Sequence, residues 1–455
     1  MFNQYRIIHF VGIGGVGMSG IAEVLHNLGY DVTGSDIRES DTTIRLRKLG
    51  IKIFIGHDEK NIDNAHVVVI SSAVSPTNPE VVAAKDRAVP VIPRAEMLAE
   101  LGRLKYGILV AGAHGKTTTT SLIATLLGEA GLDPTVVIGG QLKAIGSNAY
   151  LGKGEFLVAE ADESDGSFLK LSPTIAVITN IDREHMDYFK DIETLRSAFL
   201  SFINKVPFYG VAIVCKENEH TRTIIPQIKR RVLTYGLSHD SDMYAKNIRY
   251  EGTKNVFEAV FKGDSLGIFT VPVPGVHNVL NSLAAILTAM ELQVPLEKIS
   301  TGLSSFSGIQ RRFELRGEAR EIRVFDDYGH HPVEIRAVLK AARECFSDSR
   351  IVVIFQPHRF SRTRDLMDDF ALSFGAADRL YILDIYAASE APIEGITSEV
   401  LLKKTRDVGS MNADHISDRK EMVKTVLADL RPGDVLLTLG AGDVYKIGEE
   451  ILKAL

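Results

Sequence analysis

The loop Gly12–Gly17 carries residue types and spacing that can bind a diphosphate. It follows an apolar run and opens a helical pattern, and it matches G-x-G-x-x-G. Its glycines allow a tight turn and a close approach of the backbone to phosphate oxygens, which then lie at the helix N-terminus. Asp36 ends the next strand, where an acid can bind a ribose. The pattern predicts a nucleotide site, and a nicotinamide dehydrogenase is one alternative that it leaves open.

A second glycine loop, Gly112–Thr117, also stands between a predicted strand and a helix. Its Gly-Lys-Thr end provides backbone N–H groups, a lysine for the β- and γ-phosphates of ATP and a hydroxyl for Mg²⁺. The full P-loop pattern has an earlier glycine where this chain has Val110. The loop is therefore a variant that predicts ATP binding. A P-loop motor or regulatory NTPase is a second alternative.

Two acidic clusters follow predicted strands of the same middle region. They are Glu160–Asp165 and Asn180–Asp187. Ligands of open α/β sheets bind at the carboxyl ends of the strands, and carboxylate oxygens suit Mg²⁺. The alternative is that these acids are solvated or cap helices, as Asp182 could.

Polar loops also follow strands in the last third of the chain. Asp326–Pro332 and Gln356–Arg364 combine histidines, acids and arginines that could clamp a carboxylate or a phosphate. The stretch Gly440–Asp443 also follows a predicted strand, and the alternative for it is a plain tight turn. Two further polar stretches are Pro274–Asn281, which opens an apolar helix, and Gly308–Glu314, at a predicted domain boundary.

The elements that must position these loops alternate between short apolar strands and longer helical patterns. Such alternation predicts doubly wound α/β domains with mostly parallel sheets. Boundaries near residues 105 and 314 divide the chain into three domains, 1–105, 106–314 and 315–455. The segment Asp240–Val271 has short alternating polar and apolar residues and predicts an antiparallel excursion from the middle domain.

Composition excludes several classes of protein. The 455 residues include 52 Lys and Arg against 58 Asp and Glu, so the net charge of -6 argues against bulk binding of nucleic acid or membranes. Cys215 and Cys345 are the only cysteines, too few for a disulfide framework. No apolar run reaches membrane-spanning length. These features predict a cytoplasmic protein.

Taken in order, the motifs resemble the Mur ligase family of peptidoglycan synthesis along essentially the whole chain. The resemblance implies three α/β domains: a Rossmann-like UDP-binding domain, a central P-loop ATPase domain with a mostly parallel sheet, and a C-terminal Rossmann-like domain. It also implies that the first loop binds a uridine nucleotide and not NAD.

The resemblance assigns site residues by matching motifs. The UDP-substrate would contact Gly14, Gly15, Val16, Gly17, Met18, Ser35, Asp36 and Ser72. ATP would contact Gly112, Ala113, His114, Gly115, Lys116, Thr117, Thr118, Asn278, Asn281, Arg312 and Asp327. Mg²⁺ would be held by Thr117, Glu160 and His185, and the incoming amino acid and reacting carboxyl by His330, Arg359 and Arg362. Family members usually have Thr at the position of Ala113.

The implied reaction joins L-alanine to UDP-N-acetylmuramate at the expense of ATP, through an acyl phosphate. The implied catalytic residues are Lys116, Arg312, His330, Arg359 and Arg362, with His330 as the candidate base. Two Mg²⁺ ions are expected, with Mn²⁺ as a substitute, in a monomer or weak homodimer. The alternative within the family is a ligase that recycles UDP-N-acetylmuramate with a preformed peptide.

Overall fold

The computed structural model of the protein describes most of the chain. The described residues are 6–71, 73–103, 105–142, 147–184, 186–388, 390–409 and 412–455. Two predicted site residues, Ser72 and His185, lie outside them.

Strands are distributed along the whole of the described chain. They are β1 Ile7–Val11, β2 Asp31–Asp36, β3 Lys52–Ile55, β4 Val67–Ile70, β5 Val91–Pro93, β6 Tyr106–Ala111, β7 Thr135–Leu142, β8 Ser147–Tyr150, β9 Phe156–Glu160, β10 Ile175–Ile178, β11 Val211–Cys215, β12 Val232–Gly236, β13 Met243–Glu251, β14 Lys254–Phe261, β15 Asp264–Val271, β16 Glu314–Ala319, β17 Ile322–Asp327, β18 Ile351–Phe355, β19 Arg379–Ile382, β20 Ala413–His415 and β21 Val435–Leu439.

Helices separate most of these strands. They are α1 Val16–Asn27, α2 Asp41–Lys48, α3 Pro79–Asp86, α4 Arg94–Gly102, α5 Lys116–Glu129, α6 Met186–Phe189, α7 Ile192–Ile203, α8 Glu219–Ile224, α9 Val276–Glu291, α10 Leu296–Ser304, α11 Pro332–Cys345, α12 Phe360–Asp365, α13 Met367–Ala371, α14 Ser398–Gly409, α15 Arg419–Asp429 and α16 Tyr445–Ala454. Short 3₁₀ turns cover Glu59–Ile62, Ser167–Lys170 and Ile225–Gln227.

The strands form three sheets. A five-stranded sheet has the order β3-β2-β1-β4-β5, with all its pairs parallel. A ten-stranded sheet has the order β15-β14-β13-β12-β11-β10-β6-β9-β7-β8, and a six-stranded sheet has the order β16-β17-β21-β18-β19-β20. The pair β16–β17 is antiparallel, whereas β17, β21, β18, β19 and β20 pair in parallel. The predicted fold class, α/β with mostly parallel sheets, is confirmed.

Continuous apolar runs became the central strands, as predicted. All five residues are buried in β11, β18 and β21, because helices cover both faces of a parallel sheet. The predicted excursion forms β13, β14 and β15, which are joined by two-residue turns. A two-residue turn can join only antiparallel strands. Lys262 and Gly263 have the positive φ angles that such a turn requires.

The chain folds as two compact units. The first contains the residues up to Asn247 together with Phe257–Thr270 and Val279–Ser307. The second contains Ile248–Val256, Val271–Asn278 and Gly308–Leu455. The predicted division into three domains stays a prediction, since the first unit includes the five-stranded sheet and most of the ten-stranded sheet.

One apolar core unites the sheets of the first unit. Its buried side chains include Phe10 of β1 as well as Phe168 and Phe202 of the middle region. Arg94 at the start of α4 also lies 3.1 Å from Asp162, which follows β9. In the described part of the chain, no helix is both long and apolar enough to cross a membrane.

Candidate active site

The first glycine loop is held to the end of β2 by hydrogen bonds. The N–H groups of Gly12 and Ile13 donate to the Ser35 carbonyl at 2.8 and 3.0 Å. The Gly14 N–H donates to Asp36 Oδ2 at 2.8 Å. Asp36 therefore orients the loop, in addition to standing where a ribose-binding acid is expected. The Ser35 hydroxyl is buried and donates to Glu80, so Ser35 shapes the loop through its carbonyl.

A side chain at two glycines of this loop would displace a charged neighbour. A Cβ on Gly14 would lie 2.7 Å from Asp36 Oδ2, and one on Gly17 would lie 2.8 Å from the Arg94 guanidinium. Arg94, which no sequence motif marked, thus adds a cation at the start of α1. Val16 is 48% exposed there, whereas Met18 is buried and presents only its backbone.

The second glycine loop lies tightly against the end of β10 and against Asn281 of α9. A Cβ on Gly112 would lie 2.2 Å from Thr179 Oγ1, and one on Gly115 would lie 2.7 Å from Asn281 Oδ1. Both glycines have positive φ angles, 138° and 83°. This narrow backbone, which leads from β6 into α5, is the type of cradle that binds phosphates through N–H groups.

Asn180 holds the P-loop from the adjacent strand β10. Its Oδ1 accepts from the His114 N–H at 2.9 Å, and its Nδ2 donates to the His114 carbonyl at 2.9 Å. Thr179 donates to the same carbonyl at 2.6 Å. The His114 ring lies 3.2 Å from Asp182. His114 therefore belongs to the loop scaffold, and the acidic cluster after β10 contributes Asn180 to it.

Lys116 is paired with a buried acid. Its Nζ lies 3.0 Å from both carboxylate oxygens of Glu163 and 2.5 Å from the Gly112 carbonyl. Burial raises the pKa of Glu163 to about 7, against the opposing effect of the Lys116 charge. Burial alone would lower the pKa of Lys116, but the carboxylates of Glu163, Asp162 and Glu184 raise it above its usual value. The lysine is thus a firmly charged group at the mouth of the loop.

The described metal-ligand candidates fit Mg²⁺ in chemistry. Thr117 is partly exposed at the start of α5. Glu160 ends β9, where it is the register partner of Val110 on β6, the strand that enters the P-loop. Glu160 Oε1 accepts from the Gly139 N–H at 2.6 Å, which fixes the carboxylate. A hydroxyl and a carboxylate beside a phosphate cradle are the oxygen donors that Mg²⁺ prefers.

The two asparagines among the predicted ATP contacts lie near the start of α9. Asn281 is buried in the first unit, where its Oδ1 accepts from Thr119 of α5 at 3.1 Å. Asn278 is buried in the second unit, where its Nδ2 donates to the Pro274 carbonyl at 2.6 Å. Each amide is therefore part of the local scaffold.

In the second unit, two adjacent acids hold the segment that contains Arg312. Arg311 Nε donates to Asp326 Oδ2 at 2.9 Å, and the Phe313 N–H donates to Asp327 Oδ2 at 2.7 Å. Arg311 and Phe313 have positive φ angles of 59° and 45°, so these bonds stabilise a strained backbone. Burial raises the pKa of Asp327 to about 6, in spite of nearby Arg312.

Arg311 was not predicted as a functional residue, yet it connects its segment to a neighbouring loop. Its guanidinium donates to the Gly442 and Gly440 carbonyls at 3.0 and 2.6 Å. It also lies over the ring of Tyr445. The loop Gly440–Asp443 is therefore a support for the arginine segment rather than a plain turn. In the sequence, Arg311 could have been noticed because it stands directly beside Arg312.

Glu334 on α11 gathers the predicted residues of the Asp326–Pro332 loop. Its carboxylate accepts from the backbone N–H of His330 at 3.1 Å and lies 3.6 Å from Arg312 Nη1. The Nδ1 atom of His330 lies 3.6 Å from the same carboxylate and 3.0 Å from the Tyr328 carbonyl oxygen. Arg312 and His330 are thereby brought together.

His358 connects this group to the next loop. Its ring lies 5.7 Å from that of His330 and stacks on Tyr386 at 5.5 Å. Arg362 Nη1 donates to the His358 carbonyl at 3.3 Å. Burial lowers the pKa of His358 to about 3, and the positive charges around it act in the same direction. Arg359, with a φ of 75°, is exposed beside it. The structure thus groups His330, Arg359 and Arg362 around a neutral histidine.

The fold and these loops define an α/β enzyme with a P-loop and a second glycine loop for a nucleotide. Family models match the chain in three consecutive parts. The Mur ligase family catalytic domain matches residues 7–106, the Mur ligase middle domain 110–289, and the Mur ligase glutamate ligase domain 311–442. The chain belongs to the Mur ligase family.

Relatives match along the full length. A UDP-N-acetylmuramate–L-alanine ligase of Geobacter sp. (strain M21) is 57% identical, covering 99% of this chain and 98% of its own. One of Geotalea uraniireducens (strain Rf4) is 56% identical, covering 100% and 99%. The crystal structure of a UDP-N-acetylmuramate-alanine ligase from Thermotoga maritima has a TM-score of 0.85 at 31% identity, covering 98% of each chain. A murein peptide ligase from Psychrobacter arcticus has a TM-score of 0.73 at 26% identity, covering 99% and 98%.

Proposed function

We propose that this protein joins L-alanine to UDP-N-acetylmuramate with the hydrolysis of ATP to ADP and phosphate. The observation that carries the proposal is the 57% identity, over 452 residues, to a ligase of that activity. The rigid P-loop and the charged Lys116 support the ATP-dependent step.

The chemistry explains why ATP is needed. A carboxylate is a poor electrophile, so an oxygen of the muramyl carboxylate first attacks the γ-phosphorus and ADP leaves. Lys116 neutralises charge on the transferring phosphoryl group, and the backbone of Gly112–Gly115 holds the phosphates. Bound Mg²⁺ would add charge neutralisation, held by Thr117 and Glu160. Two ions, and Mn²⁺ as a substitute, remain part of the proposal.

The second step forms the amide. The neutral amine of alanine attacks the acyl carbon, and phosphate leaves as the tetrahedral intermediate collapses. In the proposal, Arg359 and Arg362 bind the carboxylate of alanine, because a guanidinium matches a carboxylate in shape and charge. His330 accepts the ammonium proton, and Glu334, 3.6 Å from its ring, orients it.

The first glycine loop would bind the uridine diphosphate part of the sugar nucleotide. Asp36, Gly14 and Arg94 support this assignment, since they place an acid, a close backbone and a cation at the start of α1. We assign the reaction to the cytoplasm, where its nucleotide substrates are made. The recycling ligase is not favoured, because three full-length relatives at 56–57% identity are named UDP-N-acetylmuramate–L-alanine ligases.

The test is the release of phosphate from ATP and Mg²⁺ with UDP-N-acetylmuramate and L-alanine each omitted in turn. The proposal expects release only when both are present, and a product heavier by one alanine residue. Phosphate release that needs neither substrate would show that the protein is an NTPase and not a ligase. Release that needs a tripeptide instead of alanine would favour the recycling ligase.

A further inference from the structure

Arg94 places a cation where two helices begin. It is the first residue of α4, and its guanidinium also lies against the first turn of α1. A Cβ on Gly17 would lie 2.8 Å from Arg94 Nη1 and 3.2 Å from Arg94 Cζ. The N-terminal end of a helix carries a partial positive charge, so a cation there is unfavourable unless a negative group compensates it. An arginine in this position therefore needs an anion nearby.

The start of α1 contains no negative group of its own. Its first turn has no acid, and its N-cap residue is Gly15, which has no side chain to accept from the helix N–H groups. Unpaired N–H groups at the beginning of a helix are good donors to phosphate oxygens. The backbone donors of α1 and the Arg94 guanidinium thus lie side by side, which suits an anionic ligand.

Asp162 supplies a compensating charge from the segment after β9. Its Oδ2 accepts from Arg94 Nη2 at 3.1 Å, and its Oδ1 accepts from the Ser164 N–H at 3.0 Å. Burial by itself raises the pKa of Asp162, but the charges of Lys116 and Arg94 outweigh that effect and lower the pKa. Asp162 is therefore an ionised carboxylate with both oxygens fixed in place.

The ion pair uses only one side of the guanidinium. Within the described part of the chain, Nη2 of Arg94 donates to Asp162, whereas Nε and Nη1 have no acceptor. A guanidinium offers five N–H donors in a planar fork that matches phosphate oxygens. Because Nη1 lies nearest to the first turn of α1, donors remain for a ligand that binds at this helix.

We propose, on the basis of the function proposed for the first glycine loop, that Asp162 is a positioning residue for the sugar nucleotide. It holds the Arg94 guanidinium at the start of α1, where Arg94 binds the diphosphate. Asp162 thereby serves a different ligand from Glu160, the Mg²⁺ candidate of the same acidic cluster. Lys116 is also near Asp162, but it forms its ion pair with Glu163 at 3.0 Å.

Isothermal titration calorimetry of the full chain with UDP-N-acetylmuramate, UDP and ATP tests this role. We expect Asp162→Asn to raise the dissociation constants of UDP-N-acetylmuramate and UDP about tenfold and to leave that of ATP within about twofold. In the phosphate-release assay, the same variant should raise KM for UDP-N-acetylmuramate and keep kcat. A purely structural defect would weaken ATP binding as well.

A double variant tests whether Asp162 acts through Arg94. Asp162→Asn combined with Arg94→Met should bind UDP no more weakly than Arg94→Met alone, because the positioned group is already absent. Glu96→Gln is the matched control, since Glu96 pairs with Lys170 at 2.9 Å and likewise joins α4 to the segment after β9. It should leave all three dissociation constants unchanged. If Asp162→Asn does not fold, Asp162→Glu, which moves the charge by one methylene, gives the same comparison.

Several outcomes overturn the proposal. Wild-type affinity for UDP-N-acetylmuramate in Asp162→Asn would show that the ion pair does not position Arg94. A loss confined to ATP would assign Asp162 to the P-loop, and a loss for the sugar nucleotide but not for UDP would remove Arg94 from the diphosphate. A wild-type chain that binds no UDP-N-acetylmuramate would instead refute the function proposed for the first loop, and this role with it.

Discussion

Lys116 joins the P-loop to Glu163 through a buried ion pair. Its side chain is 17% exposed and that of Glu163 is 3% exposed, so the pair is largely withdrawn from water. Removing one member of a buried pair leaves the other charge without compensation, which is strongly destabilising. The same pair keeps the lysine charged and aimed at the loop before any nucleotide binds.

Glu163→Gln should therefore destabilise the first unit by about 3 kcal/mol. The chain has no tryptophan, so thermal unfolding is followed by circular dichroism. In the double variant Lys116→Met, Glu163→Gln the loss should be smaller than in Glu163→Gln alone, because no charge is left unpaired. Glu193→Gln, on the surface, is the control. Losses that simply add would show that the two side chains act independently.

The backbone at Gly115 is left-handed and lies beside Asn281, whereas Gly128 in the adjoining helix α5 has neither restriction. Gly115→Ala forces a Cβ into a left-handed conformation and against the Asn281 amide. We expect ATP affinity, measured by isothermal titration calorimetry, to fall about tenfold or more. Gly128→Ala in helix α5 is the matched control, since a Cβ added at Gly128 would have no neighbouring atom within 4 Å. Equal affinities in both variants would mean that the loop tolerates the strain.

At the scale of elements, Glu80 joins several parts of the first sheet. Its buried carboxylate accepts from Ser35 of β2 at 2.6 Å and from Asn61 at 2.6 Å, and it lies 2.8 Å from the His57 ring. Burial by itself raises its pKa, but nearby His9 and these hydrogen bonds outweigh that effect and lower the pKa to about 2. This carboxylate, together with the apolar packing of Ala83 and Ala84, anchors helix α3 to the sheet.

The lowered pKa gives a pH dependence with a definite sign. Between pH 4.5 and about 2 the unfolded chain binds a proton that the folded chain does not, so stability falls as the pH falls. Wild-type protein should exceed Glu80→Gln in stability above pH 5, by up to about 3 kcal/mol, and this difference should shrink toward pH 2. Glu59→Gln, an exposed neighbour, serves as the control in thermal unfolding. A difference that does not change with pH would refute the role of the charge.

Arg311 stabilises the segment between α10 and β16 through several hydrogen bonds. Arg311→Lys keeps a positive charge but loses the planar fork that contacts Asp326 and two carbonyls at once. Because Arg312 follows in a strained backbone, we expect kcat/KM for ATP to fall about tenfold. Arg323→Lys, an exposed pair with Glu318, should leave the value unchanged. An unaffected Arg311→Lys enzyme would show that charge alone holds the segment.

At the scale of the whole molecule, the two glycine loops belong to separate sheets. We therefore expect ATP and UDP-N-acetylmuramate to stabilise the protein independently. Each ligand should raise the thermal midpoint, by the equivalent of about 2.7 kcal/mol at one hundred times its Kd. Lys116→Met should lose the effect of ATP and keep that of UDP-N-acetylmuramate. Asp36→Asn should do the reverse, because Asp36 holds Gly14 of the first loop. Loss of both effects in either variant would indicate a single shared site.

The sequence by itself determined the local elements and the phosphate loops. Short, continuous apolar runs between helical patterns favour strands that are buried on both faces, and β11 and β21 are such strands. The glycine spacing of the two loops reflects the local backbone conformation that each loop needs, so the sequence predicted both loops. The family resemblance, carried by motifs in one order, was confirmed by the full-length relatives.

Only the tertiary structure decided which side chains support these loops. Arg94, Asn180, Glu163 and Arg311 reach their partners across long sequence separations, up to 131 residues for Arg311 and Gly442. No local pattern encodes such pairs, because they depend on how sheets and helices pack. For the same reason, the sequence did not predict that Ser35 and Met18 are buried.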